Sequence, residues 1–132
     1  MLLNASSPSE IEEALANIVA KRAGALLLGT DPFFISARDQ LVTLANRHRI
    51  PAVYPFREDV VAGGLMSYGS SNRDSFRLVG DYTGRILSGI KPADLPVQQV
   101  IKIEMAINLR TAQTLGLTMP LPLLGRADEV IE

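Results

Sequence analysis

Three short stretches hold the residue types that could do chemistry. Asp31-Pro32-Phe33-Phe34 sets a carboxylate and two adjacent aromatic rings directly after an apolar run. Arg57 follows a second apolar run in Tyr54-Pro55-Phe56-Arg57. Tyr68 closes a third in Ser67-Tyr68-Gly69, with Gly63-Gly64 just upstream. Asp31 suits a ligand ammonium, or it serves as an Asx-type turn residue. A phosphoacceptor aspartate also needs an acidic pair for Mg²⁺ and a lysine after a later strand, and neither stands at a strand end. Phe33 and Phe34 suit a pocket for an apolar or aromatic ligand, or they seal a helix–sheet core. The Arg57 fork fits a carboxylate, or it pairs on the surface with Glu58 or Asp59. Tyr68 either stacks on a ligand or covers a sheet edge.

Other chemistries lack their residues. The chain has no cysteine, which excludes disulfides, thiolate catalysis and Cys-ligated zinc. His48, the one histidine, stands between Arg47 and Arg49 at a helix end, where it complements the dipole rather than binding a metal. No dinucleotide fingerprint, P-loop, nucleophile elbow or H-E-x-x-H motif occurs, and Gly63-Gly64 lacks a third glycine. The reading therefore assigns no catalytic residue, no metal and no cofactor. Thirteen basic against fourteen acidic residues give a net charge of −1, which argues against nucleic acid as a partner. No apolar run approaches the ~20 residues that span a bilayer. The opening MLLNASSPSE has neither a basic n-region nor a long apolar h-region, so it reads as no signal peptide.

Patterning supplies the elements that must position these residues. Ser7-Pro8-Ser9-Glu10 is a helix start, and Ile11, Ala14, Leu15, Ile18 and Val19 keep helical spacing up to Gly24. Residues 25–28, 50–54 and 65–68 are short continuous apolar runs, as in strands buried on both faces of a parallel sheet. Between them, Ser36 and Asp39 form a capping box before a helix carrying Leu41, Leu44, Ala45 and His48, and 58–62 make one helical turn. Asn72 caps a long helix with Phe76, Val79, Thr83, Ile86 and Leu87 on one face. Residues 91–96, KPADLP, read as a linker. Residues 101–107 alternate as a half-exposed strand, and Asn108 caps a short helix closed by Gly116. The proline-punctuated tail packs over the surface with a helical turn near Pro122. Met66, Met105 and Met119 read as core filler. The order predicts an α/β fold, a parallel sheet with helices on both faces. Ligands gather at the carboxyl ends of such strands, where Asp31, Arg57 and Tyr68 stand.

The run 47–69, RHRIPAVYPFREDVVAGGLMSYG, closely resembles ABC-transporter substrate-binding proteins of the tryptophan/tyrosine type. So do KPADLPVQQVIKIEMAINLRTAQTLGLTMP at 91–120 and the closing GRADEVIE. The resemblance implies a periplasmic-binding-protein type I lobe with flavodoxin- or Rossmann-like layers. It implies that residues 1–132 form a single C-terminal fragment of a two-lobe receptor, with interlobe crossings near 63–65 and 89–97. It further implies no catalysis, a small-molecule solute with aromatic amino acids foremost, an ABC permease as partner, and a periplasmic or lipid-anchored extracytoplasmic setting for the full-length protein. Asp31, Phe33, Phe34, Arg57 and Tyr68 then fall on the cleft wall, and Gly63, Gly64 and Gly69 at hinge or cleft positions. The alternatives are an effector-binding domain of a transcription regulator and a small α/β enzyme. Parted from a first lobe, the apolar face Phe76, Val79, Ile86 and Leu87 and the strand at 101–107 would be left exposed, which predicts a homodimer.

Overall fold

The computed structural model describes residues 1–98 and 102–132. Ile101, the first residue of the alternating run, lies outside them.

Helix α1 (Pro8–Ala20) starts as its sequence dictates, with the Ser7 hydroxyl accepting from Glu10 N at 3.3 Å. Glu10 turns back to Ser6 instead of closing the box, accepting from its N–H at 2.7 Å and from its hydroxyl at 2.9 Å. These bonds hold its carboxyl below the ordinary glutamate range. Strand β1 (Leu26–Leu27) leads to a short α2 (Pro32–Ser36) and then α3 (Arg38–Arg47). Strand β2 (Ala52–Tyr54), the single turn α4 (Arg57–Val61) and strand β3 (Met66–Ser70) follow. The long α5 (Asn72–Leu87) precedes β4 (Ile103–Asn108), α6 (Leu109–Thr114), α7 (Leu121–Leu124) and β5 (Glu129–Ile131).

The five strands form one sheet in the order β1-β2-β3-β4-β5. The first three are parallel neighbours, as the repeated strand–helix order predicts. Strand β4 runs antiparallel to β3, and β5 runs parallel to β4. Crossovers between parallel strands are right-handed. In an order that advances one way, this puts every crossover helix on one face. Accordingly Val42 and Ala45 of α3 pack with Ala52 and Tyr54, and Ile11, Leu15 and Ile18 of α1 pack with Leu41 and Ile50 beside Leu26 and Leu28. The same handedness, applied to β4 and β5 running the other way, puts α6 and α7 on the opposite face. There Ile107 is wholly buried.

That opposite face is bare over the first three strands. Register places Leu27, Val53, Met66, Tyr68 and Met105 on it together. Leu27 is 78% exposed and Tyr68 58%. The expectation of helices on both faces of these strands is thus corrected: their apolar runs are continuous, but one side has no cover within the described residues.

Other expectations need correction too. Ser36 does not cap α3; it ends α2, and its hydroxyl donates to Phe33 O at 2.7 Å. The cap of α5 is Ser71, not Asn72, and its hydroxyl accepts from Asp74 N at 3.3 Å. Arg22, at φ 50°, and not Gly24, takes the left-handed turn after α1. The tail does not only pack over the surface, because Glu129–Ile131 extend the sheet as β5. The alternating strand is graded instead: Ile103 is exposed while Ala106, Ile107 and Asn108 are all buried. As expected, Asn108 caps α6, its Oδ1 accepting from Thr111 N at 3.0 Å, and Gly116 closes it at φ 73°.

Asp59 is the central polar contact. The residue is 3% exposed, and its carboxylate takes Arg38 Nε at 2.8 Å and accepts from Phe56 N at 3.2 Å. It therefore binds α3 to the first turn of α4. Nearby backbones meet closely: a Cβ on Gly69 would lie 2.1 Å from Pro55 O. Replacing Asp59 with Ala strands a half-buried guanidinium and a buried N–H. Urea denaturation should show a loss of about 2–4 kcal/mol. Gly69→Ala must push β3 off the β2–α4 turn at a cost of roughly 1–3 kcal/mol or more. An unchanged urea midpoint for either variant would contradict these contacts.

Candidate functional site

Strands β1, β2 and β3 end at one edge of the sheet, and β4 and β5 begin there. The edge thus collects residues from both ends of the sequence. Asp31 stands past β1, Arg57 past β2, Tyr68 and Gly69 at the end of β3, and Lys102, Asp128 and Glu129 at the starts of β4 and β5. Gly63 and Gly64 lie at the opposite edge, in the α4–β3 turn. There Gly63, at φ 107°, offers its carbonyl to Asn46 Nδ2 at 3.0 Å and Thr111 Oγ1 at 2.9 Å. A Cβ on Gly64 would press against Asp59 O and the Tyr54 ring, both at 2.8 Å. Gly69 alone of the three glycines is at the edge with the charged and aromatic residues.

Asp31 is the N-cap of α2, and its Oδ1 accepts from Phe33 N at 2.8 Å. That contact uses one lone pair of an exposed carboxylate and leaves the second oxygen toward solvent. Phe33 and Phe34 meet at 5.7 Å between centroids, tilted by 52°. Both lean on the α1–α3 core. Asp31 and Phe34 also line a cleft of about 630 Å³ with Leu2, Ala5, Leu27 and Gly29.

Arg57 belongs to a second cleft, of about 380 Å³, lined by Arg73, Lys102, Glu104, Asp128 and Glu129. Its fork grips the Glu129 carboxylate with two hydrogen bonds, Nη2 to Oε1 at 2.7 Å and Nε to Oε2. Neither Glu58 nor Asp59 is its partner: Asp59 is taken by Arg38. Lys102 bridges Glu104 at 3.0 Å and Asp74 at 4.0 Å. The Asp128 carboxylate accepts from Met105 N at 2.9 Å and so fixes the entry to β5. Tyr68, on the bare face, lines neither cleft. The edge is therefore divided: Asp31 and Phe34 in one concavity, Arg57 in another, Tyr68 between strands. Sequence reasoning missed Glu129 and Asp128 because their partners are far away along the chain, and Glu104 because it read only as the polar side of an alternating strand. Arg57 and Glu129 are 72 positions apart, and no local pattern joins them.

The arrangement can bind and orient charged groups. Among the described residues, no group of three or more His, Asp or Glu could hold a metal ion, and no helix is long and apolar enough to cross a membrane.

The bidentate bond from Arg57 holds the Glu129 carboxyl below its ordinary range, and Glu129 raises the Arg57 pKa in turn. A carboxyl depressed in the folded state adds stability above its unfolded pKa and loses it as pH falls through the folded value. The pair is exposed, so the gain is on the order of 1 kcal/mol or less. Carboxyl NMR titration should show Glu129 protonating at lower pH than a free glutamate and returning to the ordinary range in Arg57→Gln. An identical titration in both proteins would mean that the pair is not formed in solution.

Comparison with known proteins fits this geometry. Residues 2–131 match the family model described as ABC transporter substrate binding protein. Among curated proteins, none matches. A solved conserved domain protein from Vibrio cholerae is similar at 25% identity and a TM-score of 0.84, over 96% of this chain and 42% of its own. An ABC domain from Streptococcus pneumoniae, solved in complex with L-Trp, is similar at 28% identity and the same TM-score of 0.84, over 96% of this chain and 44% of its own. The ligand-free, open form of a substrate binding protein with adhesive properties from Clostridium difficile shares the fold at 20% identity and a TM-score of 0.63. The chain spans less than half the length of these solved relatives. With the family model covering nearly every residue and an α/β sheet of the matching topology, the chain belongs to the ABC transporter substrate-binding protein family.

Proposed function

We propose that the chain forms one wall of the solute cleft of an ABC-importer receptor, and that the solute is a small zwitterion with aromatic amino acids foremost. The observation that carries this reading is the pneumococcal relative in complex with L-Trp, similar over 96% of this chain. The strand-end edge supports it. Asp31 offers a free carboxylate oxygen to an ammonium, Phe34 stands in a largely apolar cleft beside it, and the cleft beside Arg57 is lined by charged side chains. No covalent chemistry is part of the role. The receptor is extracytoplasmic and delivers its solute to an ABC permease.

In the same reading residues 1–132 are the C-terminal part of a two-lobe receptor, and α5 belongs beside the other lobe. The sheet supports this, because the chain leaves it after Ser71 and rejoins it at Lys102. None of the residues of α5 is buried, and Phe76 and Leu87 are 74% and 82% exposed. That stripe docks on the other lobe, and on a second copy when the chain stands alone.

Calorimetry of the full receptor polypeptide against a panel of amino acids tests the reading. Asp31→Asn keeps the cap on α2 and removes the charge. It should weaken binding about tenfold, or about 1.4 kcal/mol, with the melting temperature unmoved. A panel with no heat of binding would defeat the solute assignment. Unaltered affinity in Asp31→Asn together with Tyr68→Ala would remove these residues from the cleft.

A further inference from the structure

Two equivalent turns of the chain carry arginine where the fold elsewhere uses glycine. Helices α4, α5 and α6 are each followed by a residue with left-handed backbone, and it is glycine each time: Gly63 at φ 107°, Gly89 at 100° and Gly116 at 73°. Helices α1 and α3 end in the same way, but on Arg22 at φ 50° and Arg49 at φ 53°. Their hydrogen bonds are matched. Arg22 N donates to Val19 O and Arg49 N to Asn46 O, both at 3.0 Å, while the next amides, Ala23 N and Ile50 N, reach back to Ile18 O and Ala45 O. A Cβ makes this conformation costly, and glycine is its ordinary occupant. The backbone therefore favours glycine at both places, and the two arginines stand there against that preference.

Topology brings the two turns together. Helix α1 leads into β1 and α3 into β2, and these strands are parallel neighbours with Leu26 opposite Ala52. The helices pack on each other through Ile11, Leu15, Ile18 and Leu41. Both therefore end at the same edge of the sheet, the one away from Asp31 and Arg57. Lys21 and Arg22 stand there beside Arg47, His48 and Arg49, and all five are exposed. No ion pair among the described residues uses any of them. The helix dipoles are served by Lys21 and Arg47 already and do not require arginine in the left-handed position. Acidic groups open the same helices at the other end, Glu10 in α1 and Asp39 in α3. Glu132 follows β5 to the basic edge but lies three strands beyond β2, about 14 Å at about 4.8 Å per strand, farther than a screening length of about 8–10 Å in salt. The net charge of −1 thus conceals a polarised lobe.

We infer that this edge seats the chain on an anionic lipid surface. The five residues line neither of the clefts described above. Cations fixed on rigid turns outside any concavity suit many phosphates in a plane rather than one small anion. A protein partner is held by an apolar centre within a polar rim, and these residues supply only rim. An ABC transporter works within a membrane, so its receptor meets such a surface. Each Lys or Arg close to an anionic membrane strengthens binding about fivefold. The assignment stands apart from the solute, because the cleft residues are at the opposite edge and a lobe that takes no amino acid can still bind lipid.

Vesicle co-sedimentation tests it on the chain and two double variants. The chain should sediment with vesicles of phosphatidylglycerol and phosphatidylcholine in equal parts, stay in solution with phosphatidylcholine alone, and leave the anionic vesicles as salt is raised. Arg22→Gly with Arg49→Gly removes two charges and relieves both turns. Lipid binding should then fall about 30-fold while the melting temperature holds or rises. Arg77→Gln with Arg85→Gln removes the same charge from α5, which leaves the sheet at the opposite edge, and should not change binding. An equal loss in both variants would mean that net charge alone attracts the vesicle. Undiminished binding in the glycine variant would mean that another surface does. Either result overturns the inference. So does a chain that ignores anionic vesicles, and if it then binds a polyglutamate peptide, the edge passes to an acidic protein partner.

Discussion

One buried carboxylate organises the part of the fold that carries chemistry. Asp59 is taken from water at the first turn of α4, where a lone charge would be costly. It is tolerated because Arg38 reaches it from α3 and Phe56 N closes on its other oxygen. The two contacts fix the β2–α4 turn against α3 and so fix where Arg57 emerges. Tyr54 lies against the same group. Burial, with the negative charge of Asp59 second, pushes its phenol well above the ordinary tyrosine range. Gly64 and Gly69 then let β3 approach this turn without a side chain in the way. Shape at the sheet edge is thus set by desolvated polar contacts, and its charged surface is hung on them.

How far the sequence made this legible depends on the range of the interaction. Local chemistry was readable: the Ser7 and Asn108 caps, the Gly116 stop, and the three parallel strands all follow from neighbours within a few residues. Asp31 is instructive, since both readings of it rest on one geometry. The cap on Phe33 uses one oxygen and leaves the other free. What could not be read was long-range. Nothing in the tail announces a strand, because Glu129–Ile131 become one only by pairing with β4. Nothing near Arg57 points to Glu129. The continuous apolar runs were correctly read as strands, but their pattern records the cover such strands want, not the cover this stretch of chain supplies.

The two clefts differ in how they would meet a ligand. Arg57 is already satisfied by Glu129, so an incoming carboxylate would have to compete with an internal one. Lys102 is likewise shared between Glu104 and Asp74. Asp31 has no cationic partner among the described residues, and its one polar contact is the cap on Phe33.

The attachment of α5 has a mechanical side. A helix of 16 residues is about 24 Å long at 1.5 Å per residue. It leaves the sheet through a two-stranded ribbon in which Ser70 pairs with Ile103 and Ser71 N donates to Lys102 O at 3.3 Å. Short ribbons twist readily. A turn of roughly ten degrees at that ribbon carries the far end of the helix about 4 Å by the same helical rise. Small torsions between Gly69 and Lys102 are thereby magnified into displacements as large as a side chain, as at the root of a lever.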